Sequence, residues 1–169
     1  MTDNHGGGVA VIVDIISPAW GDAGLELERI VITAARAAVI GAGVALPASA
    51  ELGFRLCNDA EMRTLNRAWR GRDAATNVLA FVMNEAPGPG HDDPMLGDVL
   101  VAYETCAAEA QEQGKPLSDH LSHLVVHGTL HLLGFDHEND DDAEAMEELE
   151  RAVLNGLGIT DPYRGDEAA

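Results

Sequence analysis

Between positions 127 and 137 the chain reads His127-Gly128-Thr129-Leu130-His131-Leu132-Leu133-Gly134-Phe135-Asp136-His137. His127 and His131 are four residues apart, so on a helix they stand one turn above the other, about 40° apart around the axis. Gly134 follows three residues after His131, and glycine tolerates the left-handed conformation that ends a helix. The chain can then turn back and bring His137 toward the pair. A fold for this sequence therefore needs a helix end, a reversal and a returning segment arranged around one point.

Two imidazoles so placed can grip one ion, and a third completes a three-histidine site. A lone His-x-x-x-His pair is common and means little. Three histidines with a glycine at the break are far more specific than ordinary helix-face histidines. Neutral ligands at His127, His131 and His137 leave an ion its full charge and one open position, which is the catalytic arrangement, whereas structural zinc is usually closed by thiolates. One zinc ion per chain is the expectation. The spacing matches the extended zincin pattern of metalloproteases, except that Gly128 stands where those enzymes carry a general-base glutamate. Without that carboxylate peptide hydrolysis is disfavoured and a phosphodiester becomes the better substrate. The missing side chain at Gly128 is expected to leave room for a bulky anionic substrate, with close helix packing as the alternative. His123, one turn before His127, offers a rival pair with no Gly-turned partner and is read as a supporting or surface residue. His120 and His91 are expected in solvent, and His5 in a flexible start.

Charge narrows the partners. The formal net charge is -19, with 10 Lys and Arg against 29 Asp and Glu. Such a surface repels phosphates, which argues against broad, non-specific nucleic-acid binding, so any RNA contact must be local. Four of the ten cations, Arg63, Arg67, Arg70 and Arg72, fall in one short segment. Arg63, Arg67 and Arg70 lie at helical spacing, opposite Met62, Leu65 and Trp69. Taken alone this is a solvated helix face. Beside an open metal site it reads as a phosphate-binding face, because the guanidinium fork bonds two oxygens at once.

The remaining sequence describes one α+β domain over 9–163, with flexible ends at 1–8 and 164–169. Hydrophobic residues make up 46% of the 169, enough for a core. Strands are expected at Val9–Ile16, Leu52–Leu56, Asn77–Met83 and Leu96–Tyr103, giving a small mixed sheet of about four strands packed with several helices. One helix runs from Leu27 to a stop at Gly41 and Gly43. A second opens on an Asn58/Glu61 capping box and ends at Gly71. Further helices cover Tyr103–Gln113, a stretch capped by Ser118 and running to Gly134, and a last one from Asp140 with core positions Ala143, Met146, Leu149, Val153 and Leu157. Asp140, Asp141 and Asp142 suit a helix start, where they oppose the positive dipole end; a second metal site is the weaker alternative. The long Pro/Gly/Asp-rich loop Asn84–Met95 is long enough to suggest a role. Cys57 and Cys106 read as buried free thiols. Neither a secretory leader nor a membrane-length apolar run is seen, so a cytoplasmic location without membrane attachment is expected.

Several segments together resemble the YbeY family of ribosomal RNA maturation endonucleases. They are His127-Gly-x-Leu-His131-Leu-x-Gly134-x-Asp136-His137, Leu65-Asn66 through Arg70-Gly71 to Thr76-Asn77-Val78-Leu79-x-Phe81, Leu96-Gly97-Asp98, Glu112–Pro116 and Asp161-Pro162-Tyr163. The likeness spans about Asp59 to Tyr163, with Ala80 and Val82 standing where the family would have Ser and Pro. It implies a zinc-dependent, single-strand-specific endoribonuclease in small-subunit (16S) rRNA maturation and ribosome quality control. It further implies metal on His127, His131 and His137, a functionally important Arg70, and the small ribosomal subunit and its proteins as partners. Two other functions compete: a ribosome-assembly RNA-binding factor with a structural metal and no cleavage of its own, and, weakest, a peptidase.

Overall fold

A computed structural model describes residues 9–47, 49–83, 95–135 and 139–160. The expected flexible ends, most of the Asn84–Met95 loop, His5, His91, His137 and the Asp161-Pro162-Tyr163 motif lie outside these residues. The elements follow in the order β1 (Ala10–Ile15), α1 (Pro18–Asp22), α2 (Leu27–Ala42), β2 (Glu51–Cys57), α3 (Asp59–Arg70), β3 (Val78–Val82), β4 (Met95–Ala102), α4 (Tyr103–Glu112), α5 (Leu117–Leu132) and α6 (Asp140–Gly156).

The four strands form one mixed sheet in the order β1-β2-β4-β3. β2 lies parallel to both β1 and β4, and β3 returns antiparallel to β4 as an edge strand. β2 was expected to be half-buried with one polar face. Its second face is mixed: Gly53 and Cys57 are buried there, because helices cover the sheet on each side, while Arg55 stays exposed. α2 and α5 pack together on one face with Leu52, Phe54, Leu56, Val99 and Val101. α3 covers the other with a smaller cluster of Cys57, Met62, Leu79, Leu100 and Ala102. The alternation of Val99 and Val101 against Leu100 and Ala102 follows from the period of two in β4.

Local chemistry sets the helix ends. Asn58 Oδ1 accepts the Glu61 amide, and Gly71 closes α3 at φ 69°. Gly43 ends α2 in the same left-handed way, whereas Gly41 lies inside the helix, where it meets Val153 of α6. Asn139 caps α6 by accepting the Asp142 amide. The first-turn aspartates are exposed and serve the helix start. The expected Ser118 cap is corrected: α5 starts at Leu117 after Pro116, whose ring fixes φ near the extended entry a helix needs. α1 was not anticipated. Ser17 caps it, Pro18 opens it, and Trp20 is fully buried with its Nε1–H donating to the Cys57 carbonyl at 2.9 Å.

Candidate metal centre

α5 carries four histidines, at 120, 123, 127 and 131. Their spacings of three, four and four keep them on one stripe. Ring centroids follow one another at 6.0, 6.4 and 4.6 Å. The stripe is buried at its start, with the His120 side chain only 3% exposed, and opens toward His127 at 22%.

At the open end the Nε2 atoms of His127 and His131 approach to 3.1 Å. Two nitrogens bound to one tetrahedral ion at 2.0–2.1 Å stand about 3.3 Å apart. The pair therefore fits a shared ion. Gly134 follows with φ 100°, and its amide donates to the His131 carbonyl, so the chain breaks out of the helix where the spacing required. His137, the third expected ligand, lies outside the described residues, and among the described residues no group of three or more metal-binding side chains gathers at one point.

Glu150 supports the pair from α6. Its side chain is 1% exposed, and Oε1 sits 2.9 Å from His123 Nε2 and 3.1 Å from His127 Nδ1. Burial pushes its pKa up, but the bonds to His123 and His127 outweigh burial and hold it at about 2. An ionised carboxylate only accepts, so His127 carries its proton on Nδ1 and presents an Nε2 lone pair toward His131. That is the tautomer a metal ligand needs. His123 spends its Nε2–H on the same oxygen, which places it as a support for His127 and removes the rival His123–His127 pair through that nitrogen. Sequence reading missed Glu150. It falls between Met146 and Val153 on the buried stripe of α6, where an acid is out of place, and that misplacement was the available signal.

Two expectations are corrected here. His120 is buried rather than solvated; its Nε2 meets Glu109 Oε1 at 2.8 Å, and Glu109 also accepts from Asn77 Nδ2 at 3.0 Å. Burial lowers the His120 pKa, with the Glu109 hydrogen bond acting the other way. Gly128 faces the sheet and not an open substrate space. A Cβ there would come within 2.5 Å of the Val99 Cγ1, so the missing side chain lets α5 lie close on β4.

The four arginines are all exposed but differ in their commitments. Arg63 holds Asp73 through two bonds, at 2.7 and 3.1 Å. Arg70 donates from Nη2 to the Ala80 carbonyl at 2.9 Å and lies over the Phe81 ring, 5.6 Å from its centroid. The Asn66 side chain, buried on α3, ties down the following loop at the Ala74 carbonyl. Trp69, expected on the packed side opposite the arginines, is 73% exposed.

Comparison with known proteins places this arrangement in context. The family described as Endoribonuclease YbeY matches residues 25–158. The chain is similar to the Endoribonuclease YbeY of Azorhizobium caulinodans, 54% identical over 138 residues, covering 82% of this chain and 86% of that protein. It is similar to that of Paramagnetospirillum magneticum, 49% identical over 160 residues, covering 92% and 96%. The fold is similar to a Thermotoga maritima protein solved in solution, at TM-score 0.53 and 22% identity, covering 90% of this chain and 97% of that one.

Proposed function

Since the chain belongs to the Endoribonuclease YbeY family, we propose that it is a zinc-dependent, single-strand-specific endoribonuclease that matures small-subunit ribosomal RNA and serves ribosome quality control in the cytoplasm. The observation that carries the reading is the pair of Nε2 atoms at 3.1 Å, with His127 held in its ligand tautomer by Glu150. His127 and His131, with His137, would hold the ion. When bound, it supplies positive charge and Lewis acidity to a phosphodiester. Arg70 keeps its guanidinium at the sheet edge through Ala80 and Phe81. The N–H groups not spent on Ala80 can bond phosphate oxygens and offset the charge that develops on them. Arg67 and Arg72 extend the cationic face for the RNA backbone, and Arg63 joins it where Asp73 releases it. The ribosomal small subunit and its proteins are the expected partners.

The test is incubation of the purified chain with single-stranded RNA, with and without a chelator, alongside His131→Ala. About one zinc per chain is expected in the parent, and cleavage should vanish with the chelator and in the variant. Full metal content in His131→Ala would overturn the ligand set. RNA binding without cleavage in the zinc-loaded parent would favour the assembly-factor reading instead.

A further inference from the structure

The last turn of α3 bears a side chain the fold does not use. Trp69 stands near the helical stripe of Met62 and Leu65, yet it is 73% exposed while Met62 is wholly buried. The reason is topological: β3 is the edge strand, so the sheet ends beneath this turn. Trp69 meets the Phe81 ring edge-on, with centroids 6.3 Å apart. Arg70 lies over the same Phe81 ring. Val82 and Met83, next along the edge, are also exposed. The other tryptophan, Trp20, is fully buried and hydrogen-bonded.

An exposed apolar patch alone does not name its occupant; the charge around it does. Trp69 sits among Arg67, Arg70 and Arg72, in the segment that holds four of the chain's ten cations, on a protein of net charge -19. Flat aromatic surface beside guanidinium groups suits unpaired nucleobases joined by phosphates, since every base offers a π-face and the backbone offers negative charge. A duplex would present phosphates without free base faces. The patch lies on the α3 side of the edge strand β3, and the other side of that strand packs on the histidine helix α5. The Phe81 carbonyl and the side chain of Leu132, the neighbour of His131, both crowd Gly97, where a Cβ would lie 2.2 and 2.6 Å from them.

We propose that Trp69 is a base-stacking platform for single-stranded RNA, with Phe81 bracing the indole and Arg67 and Arg70 engaging the flanking phosphates. It rests on the ribonuclease reading above and adds the contact that selects unpaired strands.

Intrinsic fluorescence tests it directly, because Trp69 is the exposed one of two tryptophans. The full-length zinc-loaded protein is titrated with a 2′-O-methyl adenosine octamer, with the same strand in a fully paired duplex, and with poly-glutamate. The single strand should quench the indole saturably and the duplex should not. Read from the fluorescence anisotropy of a dye-labelled octamer, Trp69→Ala should weaken single-strand affinity about tenfold or more, and Trp69→Phe should restore most of it. KM for single-stranded RNA should rise in Trp69→Ala with kcat little changed. Equal affinity in Trp69→Ala and the parent, or equal quenching by poly-glutamate, would overturn the platform. A parent that neither binds nor cleaves single-stranded RNA would instead remove the ribonuclease reading on which it stands.

Discussion

At the scale of single residues, position 150 shows how much of the proposed metal site lies outside its ligands. Glu150 fixes the imidazole of His127 from 23 residues away on another helix. Glu150→Leu keeps roughly the volume but removes the one oxygen, Oε1, that accepts from both histidines. His127 then loses its fixed tautomer. Zinc affinity should fall about 10- to 100-fold with the fold retained, measured by chelator competition, while the ¹⁵N shifts of His127 in the metal-free protein should report tautomer mixing. Unchanged affinity would show that Glu150 packs and does not position. His127 and His131 were legible because their relation is set by one helix; Glu150 was not, because its partner is reached only through tertiary packing. The buried thiols make a second residue-scale prediction. Burial, then nearby carboxylates, pushes Cys57 up to about 12; burial, then Glu109, does the same for Cys106, against Lys115. The folded protein keeps these protons where the unfolded chain releases them. Their stabilising effect is thus full below about pH 9 and is lost as pH rises toward 12, at up to about 1.4 kcal/mol per pH unit for each thiol. Cys106→Ala should cost stability at pH 7 yet lose less between pH 8 and 10.5 than the parent, as read from urea midpoints. Parallel losses would show that Cys106 does not set the alkaline limb.

At the scale of elements, α5 is governed by two demands, a histidine stripe on one side and close approach to β4 on the other. Gly128 answers the second. Helix propensity alone says that Gly128→Ala gains about 1 kcal/mol. The Val99 contact says otherwise, since Val99 is fully buried and β-branched and cannot swing aside. Overpacking costs about 1–3 kcal/mol, so the net change should be a lower melting temperature. Gly128→Glu should lose thermal stability and zinc together, because moving α5 off β4 displaces His127 and His131 as one body. A stabilised Gly128→Ala would mean that α5 does not lie this close to the sheet. Most element ends were readable because caps are local: Asn58 with Glu61, and the glycines after α2, α3 and α5, each act within a few residues. α1 escaped because five residues carry no periodicity, and the start of α5 shifted because Pro116 fixed the entry before Ser118 could cap it. The burial of Cys57 on the second face of β2 was missed for a tertiary reason, as that end of the face is covered only once α3 folds across it.

At the scale of the whole molecule, the charge imbalance dictates how RNA can be held. On the proposed reading, an acidic surface confines phosphate contacts to the Arg63–Arg72 segment, and the pairing of Arg63 with Asp73 takes one of its four arginines out of play. That pairing was not legible, because Asp73 lies beyond the end of α3 and only the fold of the loop after Gly71, held by Asn66 at the Ala74 carbonyl, brings it back. Each phosphate neutralised on a single strand contributes about -0.7 to the slope of log affinity against log salt. With Arg67, Arg70 and Arg72 available, the slope should lie near about -2, shallow for a nucleic-acid binder. Asp73→Ala releases Arg63 to the RNA. It should tighten single-strand binding at low salt and steepen the slope by about 0.7, while zinc content, set on α5, stays the same. Fluorescence titration with the 2′-O-methyl octamer at several salt concentrations measures both. A parent slope steeper than about -5 would require cations beyond this segment and would break the confinement, and an unchanged slope in Asp73→Ala would show that Arg63 faces away from the RNA path.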